Sequence, residues 1–122
     1  MAEYLPLHIP GKAFTRQASA AITGGQLVVV SGSGTVAPAG AASASWLGVA
    51  GFDAATGDNV TIFDEGVQRL VASGAITAGA LVEGAAGGKV ATHTNGTNDY
   101  NVVGLALSTA ADGALVEVSL LR

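Results

Sequence analysis

Ile22-Thr23-x-Gly25-x-Leu27-Val28 recurs as Ile76-Thr77-x-Gly79-x-Leu81-Val82, an offset of 54 residues (76 − 22). The same offset carries Val36-Ala37 onto Val90-Ala91. Further on, Gly48-x-Ala50 matches Gly104-x-Ala106 at an offset of 56, which also carries Ala54-Ala55 onto Ala110-Ala111, Gly57 onto Gly113 and Val60 onto Val116. The second copy therefore holds two extra residues between Ala91 and Gly104, where Thr94-Asn95-Gly96-Thr97-Asn98-Asp99 reads as a longer loop. Small residues recur by chance in a chain rich in them, but the ordered return of Ile, Leu and Val beside the glycines does not. Two copies are too few for a solenoid, which needs at least about three. They fit two intertwined halves of one β-domain, with pseudo-repeats of about 22–75 and 76–122.

Each copy reads as short strands separated by turn chemistry. Leu27 to Val30 is an apolar run, Ser31-Gly32-Ser33-Gly34 a turn, and Thr35 to Ala37 the resumption. Leu47 to Phe52, Val60 to Phe63 and Val67 to Ala72 follow, with Asp64-Glu65-Gly66 reading as a hairpin turn between the last two. The second copy gives Leu81 to Glu83, a turn at Gly87-Gly88, then Val90 to Thr92, Val102 to Leu107 and Leu115 to Leu121. Strands at spacings of about 8–12 residues indicate a sandwich or barrel. No window carries a sustained 3.6-residue apolar period with caps, so the expected fold is mainly β.

Composition agrees and excludes several functions. The chain has 122 residues, within the usual range for one domain. Its 18 glycines and 24 alanines make up about a third of it, and charged residues only 11%. The absence of cysteine rules out disulfides, zinc–thiolate clusters and a thiol nucleophile. Net charge is −4, and the five cations Lys12, Arg16, Arg69, Lys89 and Arg122 are scattered, which argues against nucleic acid. No basic start precedes a long apolar stretch, and no run approaches the ~18 residues of a membrane span. The expectation is a soluble protein made in a cytoplasm, with no membrane partner.

Residues 1–21 stand outside the repeat as an N-terminal arm before a single β-domain over 22–122. Leu5, Leu7 and Ile9 alternate with Tyr4, Pro6, His8 and Pro10, which puts the aliphatics on one face of an extended segment. Prolines without N–H groups suit an edge or a docking arm, and an arm of this kind can add to another protein's sheet edge.

Catalytic and metal-binding constellations are thin. His93, between Thr92 and Thr94, reads as a surface histidine at a strand end, and Asp64-Glu65 as a solvated turn. Gly32-Ser33-Gly34 lacks the G-x-S-x-G of a nucleophile elbow, and no P-loop Lys-Ser/Thr is present. These residues call for no cofactor and assign no reaction. Lys89, in Gly87-Gly88-Lys89-Val90, keeps open a biotinyl- or lipoyl-like carrier domain, although the neighbours differ from those of a modified carrier lysine. Trp46, the single tryptophan, reads as core packing at a strand start or as an interface anchor.

The full order is an arm, the Ile22 motif, Leu47-Gly48-Val49-Ala50, Gly57-x-x-Val60, Glu65-Gly66-Val67, the Ile76 motif, Val103-Gly104-Leu105-Ala106 and Val116-x-Val118. It resembles the small capsid decoration, or cement, proteins of tailed bacteriophages, over nearly the whole chain. The resemblance implies a compact β-tulip-like sandwich or barrel with an extended arm and no enzymatic activity. It implies homotrimers on the outside of the expanded capsid, at three-fold and quasi-three-fold positions, bound to the major capsid protein and stabilising the shell. By the same analogy Tyr4, Leu5, Leu7 and Ile9 dock on the capsid, and Lys12 and Arg16 meet acidic capsid surface. Trp46, Asn98 and Tyr100 are candidates for the oligomer interface. Another small virion subunit, of tail or fibre, is the remaining alternative.

Overall fold

The computed structural model describes residues 13–96 and 98–121. Ten strands run in chain order among the described residues: β1 (Phe14–Ala18), β2 (Leu27–Gly32), β3 (Thr35–Pro38), β4 (Trp46–Ala50), β5 (Asn59–Phe63), β6 (Val67–Val71), β7 (Leu81–Ala85), β8 (Lys89–Thr92), β9 (Val102–Ala106) and β10 (Leu115–Leu120). The helical content of the described residues is one 3₁₀ turn, Asp99–Asn101. The fold is mainly β, as the strand spacing predicts.

The first five strands close into a barrel in the order β1-β3-β2-β4-β5. The last five form a sheet in the order β6-β10-β9-β7-β8. Each sheet is contiguous in sequence, so the halves stand in tandem and are not intertwined. The Asp64-Glu65-Gly66 turn is correspondingly not a hairpin: β5 pairs with β1 and β4, and β6 with β10, so the turn carries the chain from one half to the other.

The repeat is deeper in three dimensions than in the sequence. Ala18↔Val36 in the parallel pair of β1 and β3 has its counterpart in the Ala72↔Val90 bridge, at an offset of 54. The bridge Ile22↔Ala54 recurs as Ile76↔Ala110. Even the irregularities repeat, since β2 slips register against β4 between Val28 and Val29, and β7 against β9 between Val82 and Glu83. β1 is thus the counterpart of β6, and the structural unit begins at Phe14, eight residues before the repeat is evident in sequence. The second half of the expected arm is a barrel strand.

Two glycines make this packing possible. A Cβ on Gly48 would lie 2.5 Å from Phe63 O, and one on Gly104 would overlap Ser119 O in the equivalent place. Only glycine lets these backbones approach so closely.

The barrel interior is filled by Ala18, Ile22, Val28, Val36, Ala50, Ala54, Val60 and Ile62. Their counterparts, Ala72, Ile76, Val82, Val90, Ala106, Ala110, Val116 and Val118, all lie in the core of the second half. That core also takes in Leu27, Ala39, Trp46 and Val49 from the barrel. Period-2 alternation explains this, because Val28 and Ala50 point into the barrel while Leu27 and Val49 point out toward the second sheet. Leu27 and Val28 are both fully buried, so β2 is covered on two faces. The joint is fixed by Leu27 N–H donating to Gly88 O at 2.8 Å and Gly88 N–H to Ala39 O at 3.0 Å.

Candidate functional site

Of the expected docking residues, Tyr4, Leu5, Leu7, Ile9 and Lys12 lie outside the described residues. Arg16 is on β1, half-buried, with its guanidinium carbon 4.9 Å from the Phe14 ring centroid and Nη1 donating to Thr15 O at 2.9 Å. β1 pairs antiparallel with β5 from Phe14↔Ile62 to Gln17↔Asn59. This register sets the root of the arm beside Phe63, which is exposed.

Phe63 borders one end of a groove along the junction of the two halves. Arg69 stands in the middle, and Lys89, Val71 and Leu115 line the other end. Lys89 is exposed and opens β8 just after the Gly87-Gly88 turn.

The residues expected at an oligomer interface fare differently. Trp46 is 1% exposed and packs between the halves, so it is a core residue and offers no indole surface to a partner. A strand start that faces the second half accounts for this. Asn98 and Tyr100 lie at the 3₁₀ turn; Tyr100 is 67% exposed, and its hydroxyl donates to Asn98 Oδ1 at 3.2 Å.

His93 overturns its reading as a surface residue. It is 5% exposed, with Nδ1 2.6 Å from Glu83 Oε1 and Nε2 2.9 Å from Asp99 Oδ1. Two carboxylate acceptors require both ring nitrogens to donate, which is the imidazolium form. Hydrogen bonds to Asp99 and then Glu83 raise the His93 pKa above its ordinary value, against the opposing effect of burial. The bond from His93, with one from Gly96 N–H, lowers that of Asp99. The cause lies in the repeat: His93 N–H bonds Leu81 O as Ala39 N–H bonds Leu27 O, so a buried alanine position carries an imidazole in the second copy. The longer loop after it supplies Asp99. Both ring nitrogens are occupied, and no group of His, Asp and Glu among the described residues could hold a metal ion.

Comparison with known proteins places this architecture. The family model for phage cement proteins matches residues 10–120. The chain belongs to the phage cement protein family. The crystal structure of the head fibre gp8.5 N base of bacteriophage phi29 superposes with a TM-score of 0.72 at 20% sequence identity, covering 91% of the cement protein and 94% of that chain. That likeness is one of fold. No curated protein matches the sequence significantly. The cement protein is a capsid-binding structural protein of the virion.

Proposed function

We propose that this cement protein binds the outside of the expanded capsid as homotrimers, at three-fold and quasi-three-fold positions, and holds neighbouring major capsid subunits together. The observation that carries the reading is the match to the cement family over residues 10–120, which spans both halves of the fold. A partner that binds only the expanded, native shell stabilises that state by mass action. The arm residues Tyr4, Leu5, Leu7, Ile9 and Lys12 are assigned to the capsid contact, a reading supported by the start of β1 at Phe14, paired with Ile62 next to the exposed Phe63. Asn98 and Tyr100 are assigned to the subunit contact on the exposure of the 3₁₀ turn.

A reconstruction of decorated particles tests this reading. Three copies around each three-fold and quasi-three-fold position are expected. Density confined to a tail, a fibre or another symmetry position would overturn it.

A further inference from the structure

The groove at the junction of the halves marks the place where the repeat breaks. Two hollows of about 270 and about 380 Å³ adjoin there and share Gly25 and Arg69 in their walls. In the barrel, β1 meets β3 through two pairs, Gln17↔Thr35 and Ala18↔Val36. In the second half the counterpart of the second pair is kept as Ala72↔Val90, whereas Val71 and Lys89, the counterparts of the first, do not pair. The cause is a diverted carbonyl. Gly34 O accepts from Gln17 N–H at 3.4 Å, but its counterpart Gly88 O accepts from Leu27 N–H, the bond that joins the two halves.

β6 is left as an edge strand. Ala72 N–H bonds Ala114 O on the β10 side, and Ser73 N–H bonds Val90 O on the β8 side. The parallel Ala72↔Val90 bridge takes up the Val71 carbonyl, and strand alternation turns Val71 N–H and the peptide groups of Arg69 toward the open seam. An exposed strand edge is a template for another strand.

The charge of the groove opposes that of the protein. Net charge is −4, yet no carboxylate lines either hollow among the described residues, while Arg69 and Lys89 both do. Neither is in an ion pair, since both ion pairs among the described residues involve His93; the carboxylate nearest in register is Glu117, opposite Arg69 across the β6–β10 pair. Apolar surface runs alongside, with Phe63, Val67 and Leu115 at 42%, 54% and 58% exposure. A strand edge open at Arg69 and at Val71 N–H, two cations free of ion pairs and adjacent apolar side chains suit one kind of ligand: an extended peptide that alternates carboxylate and apolar side chains.

We propose that this groove receives an extended acidic segment of the capsid protein, which adds to β6 as a further strand while its carboxylates meet Arg69 and Lys89. The proposal rests on the capsid-binding reading above and gives it a second contact, separate from the arm.

The test is binding of the full-length chain to expanded, undecorated capsids of its own phage, comparing wild type with the Arg69→Gln, Lys89→Gln double variant, which sets no like charge against Glu117, across a salt series. Both side chains are exposed, so the variant should melt as wild type does, which thermal unfolding checks. Expected is a loss of affinity of about tenfold or more, with a shallower salt dependence than wild type. A variant that binds like wild type at every salt concentration overturns the proposal and leaves the capsid-binding reading standing. Failure of wild type to bind overturns both. A benzophenone label on Val71→Cys identifies the occupant. Crosslinking to capsid protein is expected, and crosslinking to residues 1–12 of the cement protein itself would overturn the assignment.

Discussion

His93 Nδ1 lies 2.6 Å from Glu83 Oε1, a contact between the end of β8 and the middle of β7 that is completed by Asp99 on the other ring nitrogen. The imidazolium thereby ties the longer loop of the second copy onto the sheet beneath it.

Stability should follow the charge on that ring. The folded-state pKa of His93 is raised, so its contribution is fully present below the unfolded value of about 6.5 and is lost as pH rises through the folded value. Asp99 is depressed, so its contribution is present above about 3.9 and is lost as pH falls through its folded value. His93→Ala should destabilise by about 1–3 kcal/mol where the ring is charged, and by less at pH 9. Denaturant unfolding of both proteins at pH 6 and pH 9 reads the difference; an equal loss at both would contradict a charged clamp.

Gly104 faces backbone from Ser119, and the paired position Gly48 faces backbone from Phe63. A methyl group at either site has to push two strands apart. Gly104→Ala is expected to cost about 1–3 kcal/mol or more, the range for overpacking. Gly113, with φ +80 and nothing near its missing Cβ, is the comparison. Gly113→Ala should cost only about 1 kcal/mol of backbone strain. Thermal melts of the two variants should rank in that order.

Trp46 joins the halves from the barrel side and is among the largest fully buried side chains. Trp46→Ala should lose about 3–5 kcal/mol. The two halves share one core here, so they should still melt together in wild type. Calorimetry that resolves two separate transitions in wild type would contradict the shared core.

Because β1 begins at Phe14 and closes the barrel, a truncation that probes the arm has to stop before it. Removing residues 2–12 should leave the melting temperature within a few degrees of wild type and abolish capsid binding. Undiminished binding by a folded truncation would remove the arm from the interface.

Much of the fold is legible in the sequence because its determinants are local and repeated. The Ile22 and Ile76 motifs set strand, turn and glycine at matching positions, and Gly48 and Gly104 mark equivalent close approaches. The phase of the repeat is harder to see: of β1, only Ala18 has an identical counterpart, while Phe14-Thr15-Arg16-Gln17 faces Gln68-Arg69-Leu70-Val71. Ala18-Ser19 recurring as Ala72-Ser73 was the signal that moves the boundary earlier. The His93 clamp is hidden for another reason, since Glu83 and Asp99 flank it through pairing and loop closure and not through spacing. Aligning His93 with Ala39, a small residue before a shorter loop, marks that position as one the fold buries. The groove is less legible still, because it depends on which donor takes the carbonyl of Gly88.

Co-sedimentation of the purified protein with expanded, undecorated capsids of its own phage tests the central claim most directly, with bound copies counted against the major capsid protein. Saturation near one copy per capsid subunit is the predicted result. A protein that stays in the supernatant at every concentration would contradict a role as capsid cement.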